Sequence, residues 1–118
     1  SAHPKYKKVA EEIIRGWNKI GVKGTVVIAE RPPADFQTYL TNFHVSKDPD
    51  QYTLWHSDQV NNITNYKNLR IDKLLEDGRK TTDEDKRLRI YANFQKYLLD
   101  DQPASFLYFP YMYTVARK

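Results

Sequence analysis

Residues 69–118 read "LRIDKLLEDGRKTTDEDKRLRIYANFQKYLLDDQPASFLYFPYMYTVARK", and what this stretch folds into decides the architecture. Its pattern changes along the way. Ile71, Leu74, Leu75 and Gly78 recur at helical spacing and draw one stripe on a helix over Leu69–Lys80, with Glu76 and Lys80 set for an i,i+4 pair. Thr82 followed three residues later by Asp85 is a weak form of the capping box, which favours Glu or Gln there. It predicts a long helix over Asp83–Leu99 that carries Leu88, Tyr91, Phe94, Tyr97 and Leu98 toward the core, and Asp100, Asp101 and Pro103 end it. Beyond lie "ASFLYF" (104–109) and "YMYTVARK" (111–118), which read as two strands or as one strand bent at Pro110.

Upstream, Tyr6, Val9, Ala10, Ile13, Ile14, Trp17 and Ile20 form a second helical stripe over Pro4–Ile20. Pro4 suits a first helical turn and Gly21 the left-handed position just past the end. "VKGTVVIA" (22–29), short and β-branched, reads as a strand stopped by Pro32 and Pro33. Ala34–Leu40 can form a short helix with Phe36, Tyr39 and Leu40 turned inward. Asp48 before Pro49 has the order of an N-cap and a first helical residue, so "DPDQYTLWHS" (48–57) starts a short helix, and "NNITNYKNLR" (61–70) is a polar loop. The resulting order is helix, strand, short helices, two longer helices and C-terminal strand: one α/β domain over residues 1–118, with helices packed on a small mixed sheet.

Composition sets outer bounds. The 118 residues are 40% hydrophobic and 29% charged, an ordinary globular balance with enough chain for one core. No apolar run reaches the roughly 18 residues that cross a bilayer, and "SAHPKYKKVA" (1–10) has no signal-peptide core. Membrane insertion is therefore not expected. The absence of cysteine rules out disulfides and thiolate metal sites, but leaves the compartment open. A net charge of +4 arises from 19 basic and 15 acidic residues, interleaved instead of gathered on one face, which speaks against a nucleic-acid partner. Nine tyrosines are the less ordinary feature, and "FLYFPYMY" (106–113) holds five aromatic residues.

Motifs for chemistry are missing. His3, His44 and His56 are scattered, and "DPDQ" (48–51) lacks the glycine and glutamate of a calcium loop, so no metal is expected. Glycines at 16, 21, 24 and 78 form no phosphate loop, and no nucleophile elbow occurs. The acidic pairs Asp48/Asp50 and Asp100/Asp101 sit where helix caps sit, and the aromatic residues fall mostly at core-facing positions. Neither enzyme activity nor a cofactor is expected.

Taken in order, "HPKYKKVAEEIIRGWNKIGVK" (3–23), "ADFQTYLTN" (34–42), "SKDPDQYTLWHSDQV" (46–60) and the block from Asn65 to Lys118 resemble the C-terminal lobe of the family 5 extracellular solute-binding proteins. These are the peptide and nickel receptors of bacterial ATP-driven importers. The resemblance covers nearly the whole chain. Its most specific parts are "DPDQYTLWHS" and the rhythm of "YKNLRIDKLL" (66–75), "YANFQKYL" (91–98) and "DDQPASFLY" (100–108). It implies part of a type II periplasmic-binding-protein-like lobe in a receptor outside the cytoplasmic membrane. Such a receptor closes on a short peptide or similar solute and hands it to an ABC permease, without catalysis or cofactor. It also implies that Ser46–Trp55 combines a helix start with a ligand wall, with Ser46, Asp48 and Trp55 as the ligand-binding residues.

The departures from the family carry their own expectation. Members are several times longer, so the opposite cleft wall is absent. An apolar strand usual before the first helix is replaced by "SAHP" (1–4), and one usual before the DPD-like stretch is reduced to Phe43 and His44. No acidic residue lies between Asn42 and Lys47, where many peptide-binding members hold the peptide amine. A sheet short of two strands leaves unpaired edges, which predicts a homo-oligomer through sheet edges, or a rebuilt sheet. The alternative to a receptor fragment without ligand competence alone is thus an engineered or excised self-association scaffold with no transport activity.

Overall fold

The computed structural model describes residues 4–31, 34–111 and 113–117. Pro32 and Pro33, the expected strand stop, lie outside them, as do His3 and, from the expected last strand, Met112 and Lys118. The described elements are α1 (Pro4–Lys19), α2 (Tyr52–Trp55), α3 (Leu69–Lys80) and α4 (Glu84–Asp101). The chain divides into two compact units, Ser1–Ser46 and Lys47–Lys118.

In the first unit α1 forms as its apolar stripe demands, and its end is built by Gly21. At φ +84° this glycine takes the left-handed turn, so that Gly21 N donates to Asn18 O (3.2 Å) and Val22 N to Trp17 O (3.0 Å). This is the paired closure of a Schellman cap. The chain then turns back over the helix. At Gly24 a Cβ would overlap Ile14 Cδ1 and touch Trp17, so a larger residue fits there only if the Ile14 side chain shifts. Val9, Ile13, Ile14 and Trp17 are half-covered, and no described residue of this unit is fully buried.

The second unit holds the core. α3 and α4 pack against each other through Ile71, Leu75, Tyr91, Phe94 and Leu98, joined by Trp55 of α2. Ile71 and Leu75 are 0% exposed; each contributes roughly 1.5–3 kcal/mol by leaving water. Gly78 is buried in the same interface, where a Cβ would come 2.8 Å from both Cζ and Oη of Tyr91. Three caps set the helix ends. Asn68 Oδ1 accepts from Arg70 N and Ile71 N at the start of α3. Thr81 Oγ1 donates to Asp77 O at its end, and Asp83 Oδ1 accepts from Lys86 N at the start of α4. Asp83 is thus the cap, not Thr82, and the capping-box reading is displaced by one residue. Leu88, expected in the core, is 66% exposed. It lies outside the a/d-like row that Tyr91, Phe94 and Leu98 form at spacings of three and four.

No described residue forms a strand, which overturns the expected α/β class: there is no mixed sheet with packed helices, and no partial sheet of a type II periplasmic-binding-protein-like lobe. β-branched and aromatic runs record a preference for a pleated surface, but a strand exists only when a second backbone completes its ladder. Residues 22–29, 104–111 and 113–117 find no such partner among the described residues, and Ala34–Leu40 is irregular, with Phe36 and Tyr39 meeting at 5.5 Å between ring centres. Apolar side chains therefore remain in the open at Val27, Ile28 and along Phe106–Val115. No helix among the described residues is long and apolar enough to cross a membrane.

Candidate functional site

The stretch Lys47–Asp58 is held to α3 and α4 by charge. Asp48 Oδ1 accepts from Asp50 N (2.9 Å), and Asp50 Oδ1 accepts from Tyr52 N (3.0 Å), so two successive Asx turns bring the chain into α2. The helix starts at Tyr52, with Gln51 ahead of it making no side-chain cap. Asp48 caps a turn, not a helix, and its carboxylate is engaged elsewhere. Arg87 of α4 donates to it at 2.7 Å, which holds the Asp48 carboxyl below the usual range, aided by the Asp50 amide. Arg79 of α3 donates to Asp50 Oδ2 at 2.8 Å and lies 4.1 Å over the Tyr52 ring.

Tyr52 in turn stacks on His56, centre to centre 4.2 Å. His56 is 8% exposed and lies between two acids: Nδ1 is 2.6 Å from Asp58 Oδ1, and Nε2 is 3.4 Å from Glu76 Oε1. Gln59 and His56 together lower the Asp58 carboxyl, while burial followed by the Asp58 charge pushes the Tyr52 phenol up. Ser57 N donates to the buried Asp72 of α3 at 2.9 Å. The result is a row of alternating charge and aromatic rings, from the Asp48–Arg87 pair through Arg79 and Tyr52 to His56. Its charges and rings are engaged chiefly with one another. Among the described residues no three His, Asp or Glu converge on a point a metal could occupy.

The three residues expected at a ligand wall have different settings. Asp48 is exposed and paired with Arg87. Trp55 is buried, its ring edge-on to Tyr66 (6.5 Å) and to Phe106 (6.2 Å). Ser46 is exposed and is the last residue of the first unit. Sequence reasoning missed Arg79 and Arg87 as partners of this segment. Arg87 stands 39 residues from Asp48 and Arg79 stands 29 from Asp50, separations no local pattern reaches. The available signal was that the two arginines occur on consecutive helices.

The chain is 33% identical over 104 residues to the oligopeptide-binding protein AppA of Bacillus subtilis, covering 78% of this chain and 19% of that protein. It is 29% identical over 128 residues to di/tripeptide-binding protein 1 of Pseudomonas aeruginosa, covering 98% of this chain and 24% of that protein. Di/tripeptide-binding protein 3 of the same organism is 28% identical over 118 residues, 86% and 21% of the respective chains. No family model and no solved structure matches. The chain spans about a fifth to a quarter of the length of the relatives it matches, and those three relatives are named as peptide-binding proteins.

Proposed function

We propose that this chain is a piece of the C-terminal lobe of an extracytoplasmic peptide-binding receptor serving an ABC permease. Its role is binding, not catalysis, and its solute is a short peptide. The observation that carries the reading is the similarity of 78–98% of the chain to proteins named for peptide binding. The charged and aromatic row along Asp48–His56 suits a peptide's alternating polar and apolar groups. In this reading Ser46 and Asp48 lie on the ligand side of the complete receptor, and Trp55, buried against Tyr66 and Phe106, supports that wall from behind. Asp48 reaches a ligand amine only by exchanging it for Arg87, so binding and the Asp48–Arg87 pair compete.

Cleft ligands in such receptors are buried on nearly all sides, and part of the contacts seldom exceeds the cost of immobilising the ligand. Calorimetric titration of the 118-residue chain with mixed di- to pentapeptides is therefore expected to show nothing tighter than about 1 mM. Micromolar saturation would mean that the chain carries an entire site, and the partial-receptor reading would fall. A second reading, a self-associating scaffold without transport activity, is supported by the exposed apolar residues of the C-terminal segment.

A further inference from the structure

His56 closes α2 as its C-cap residue and is 8% exposed, so the polar atoms of its ring must find partners in the protein. Nδ1 stands 2.6 Å from Asp58 Oδ1. An ionised carboxylate only accepts, so this short contact puts a proton on Nδ1. The Asp58 amide also approaches Nδ1, at 3.4 Å, but it would need the lone pair that this proton occupies. Nε2 faces a second carboxylate, Glu76 Oε1 of α3, at 3.4 Å. With Nδ1 protonated, a neutral imidazole turns a bare lone pair toward Glu76, whereas an imidazolium turns an N–H toward it. One proton on Nε2 thus decides between repulsion and an ion pair.

The charges around the ring are mainly negative. Tyr52 of α2 stacks on it at 4.2 Å. Asp58, whose carboxyl is held low by Gln59 first and then by His56, stands on one side. From α3 come Glu76 and the buried Asp72, which accepts from Ser57 N at 2.9 Å. Against these three carboxylates stand two cations of α3: Lys80, 3.6 Å from Glu76 Oε2, and Arg79, which lies 4.1 Å over the Tyr52 ring and is bonded to Asp50. Arg87 of α4 is taken up by Asp48.

We propose that His56 is a proton-operated clasp: with Nε2 protonated it ties the end of α2 to Glu76 of α3, and with Nε2 bare it lets the Lys47–Asp58 stretch loosen from α3. The clasp needs no ligand and stands whether or not the receptor reading does. Its sign follows from where the second proton finds a partner. Folding sets Glu76 beside Nε2, and the unfolded chain does not, so the folded unit carries the excess of bound proton. The stabilisation is therefore present at the acid end of the histidine range, near about pH 6, and is lost as the pH rises toward about 8.

The test is the slope of stability against pH. Urea unfolding of the 118-residue chain is followed from about pH 6 to about pH 8 beside Glu76→Gln, whose amide keeps the size of the side chain and removes its charge. The Glu76 side chain is 39% exposed, so the substitution leaves the core alone. It also removes the Lys80 pair, but an ammonium group does not titrate in this range and so shifts the level of the curve, not its slope. His3 and His44 contribute equally to both curves. The folded-to-unfolded ratio of the native chain is expected to fall about two- to fivefold further than that of Glu76→Gln, the size of a partly exposed ion pair. In the native chain, ring-nitrogen chemical shifts of 15N-labelled histidine are expected to show His56 passing from protonation at both nitrogens to the neutral form with its proton on Nδ1. Parallel stability curves overturn the clasp, and so does a neutral form that keeps its proton on Nε2.

Discussion

At the scale of single residues, the fit between Gly78 and Tyr91 sets the spacing of the two main helices. A methyl group at 78 would stand 2.8 Å from Tyr91 Cζ and Oη, and the Tyr91 hydroxyl is buried without a hydrogen-bond partner. Overpacking costs about 1–3 kcal/mol and offsets the roughly 1 kcal/mol by which alanine favours a helix over glycine. Gly78→Ala should therefore lower the stability of the unit by about 1 kcal/mol in urea denaturation. Combined with Tyr91→Phe, which removes the crowded, buried oxygen but keeps Cζ, it should regain part of that loss. No loss in the single variant would show that the helices part freely at this point. Gly78 was legible in the sequence as a member of the apolar stripe, because spacing reports which face a residue occupies. What it touches there, a tyrosine 13 positions on, is a matter of helix packing that spacing does not encode.

Elements are joined by polar tethers as much as by the core. Tyr66, just before α3, donates to Asp101 at the end of α4 (2.5 Å), and Asn68, the α3 cap, donates to the same carboxylate oxygen (2.7 Å). Burial first, and then the Asp101 hydrogen bond, push the Tyr66 phenol from 10.0 up to about 12. The two donors hold the Asp101 carboxyl below its ordinary 3.8. The raised phenol favours the neutral form in the fold. Its stabilisation is complete below pH 10, and is lost as the pH rises toward 12, where the unfolded chain ionises first. Asp101 works in the opposite sense: its stabilisation is present above pH 3.8 and is lost as the pH falls through its lowered value. Denaturation midpoints followed from pH 8 upward should fall more steeply for the native chain than for Tyr66→Phe. Parallel curves would remove the tether from the account.

The helices α1, α3 and α4 were readable because each carries its own apolar period, and α1 and α4 their own end signals at Gly21 and Pro103. The expected strands were not, because Val22–Ala29 and Phe106–Val115 state only that their side chains suit a sheet. The missing information is the partner backbone, which no local pattern supplies.

For the whole molecule, the proposal is a peptide-receptor piece, and its candidate segment is the one pinned to α3 and α4. The resemblance to the receptor family pointed to Ser46–Trp55, a placement that peptide titration tests. The guanidinium groups that restrain the segment were not legible in the sequence, since Arg79 and Arg87 arrive there only after α3 and α4 have packed. The most direct measurement is a titration of the isotopically labelled 118-residue chain with di- to pentapeptides, followed by amide chemical shifts at millimolar peptide. The account predicts weak shifts concentrated between Ser46 and His56, with Arg87 Nη2 responding as its bond to Asp48 is exchanged. Shifts confined to Phe106–Val115, or none at about 10 mM peptide, would contradict it.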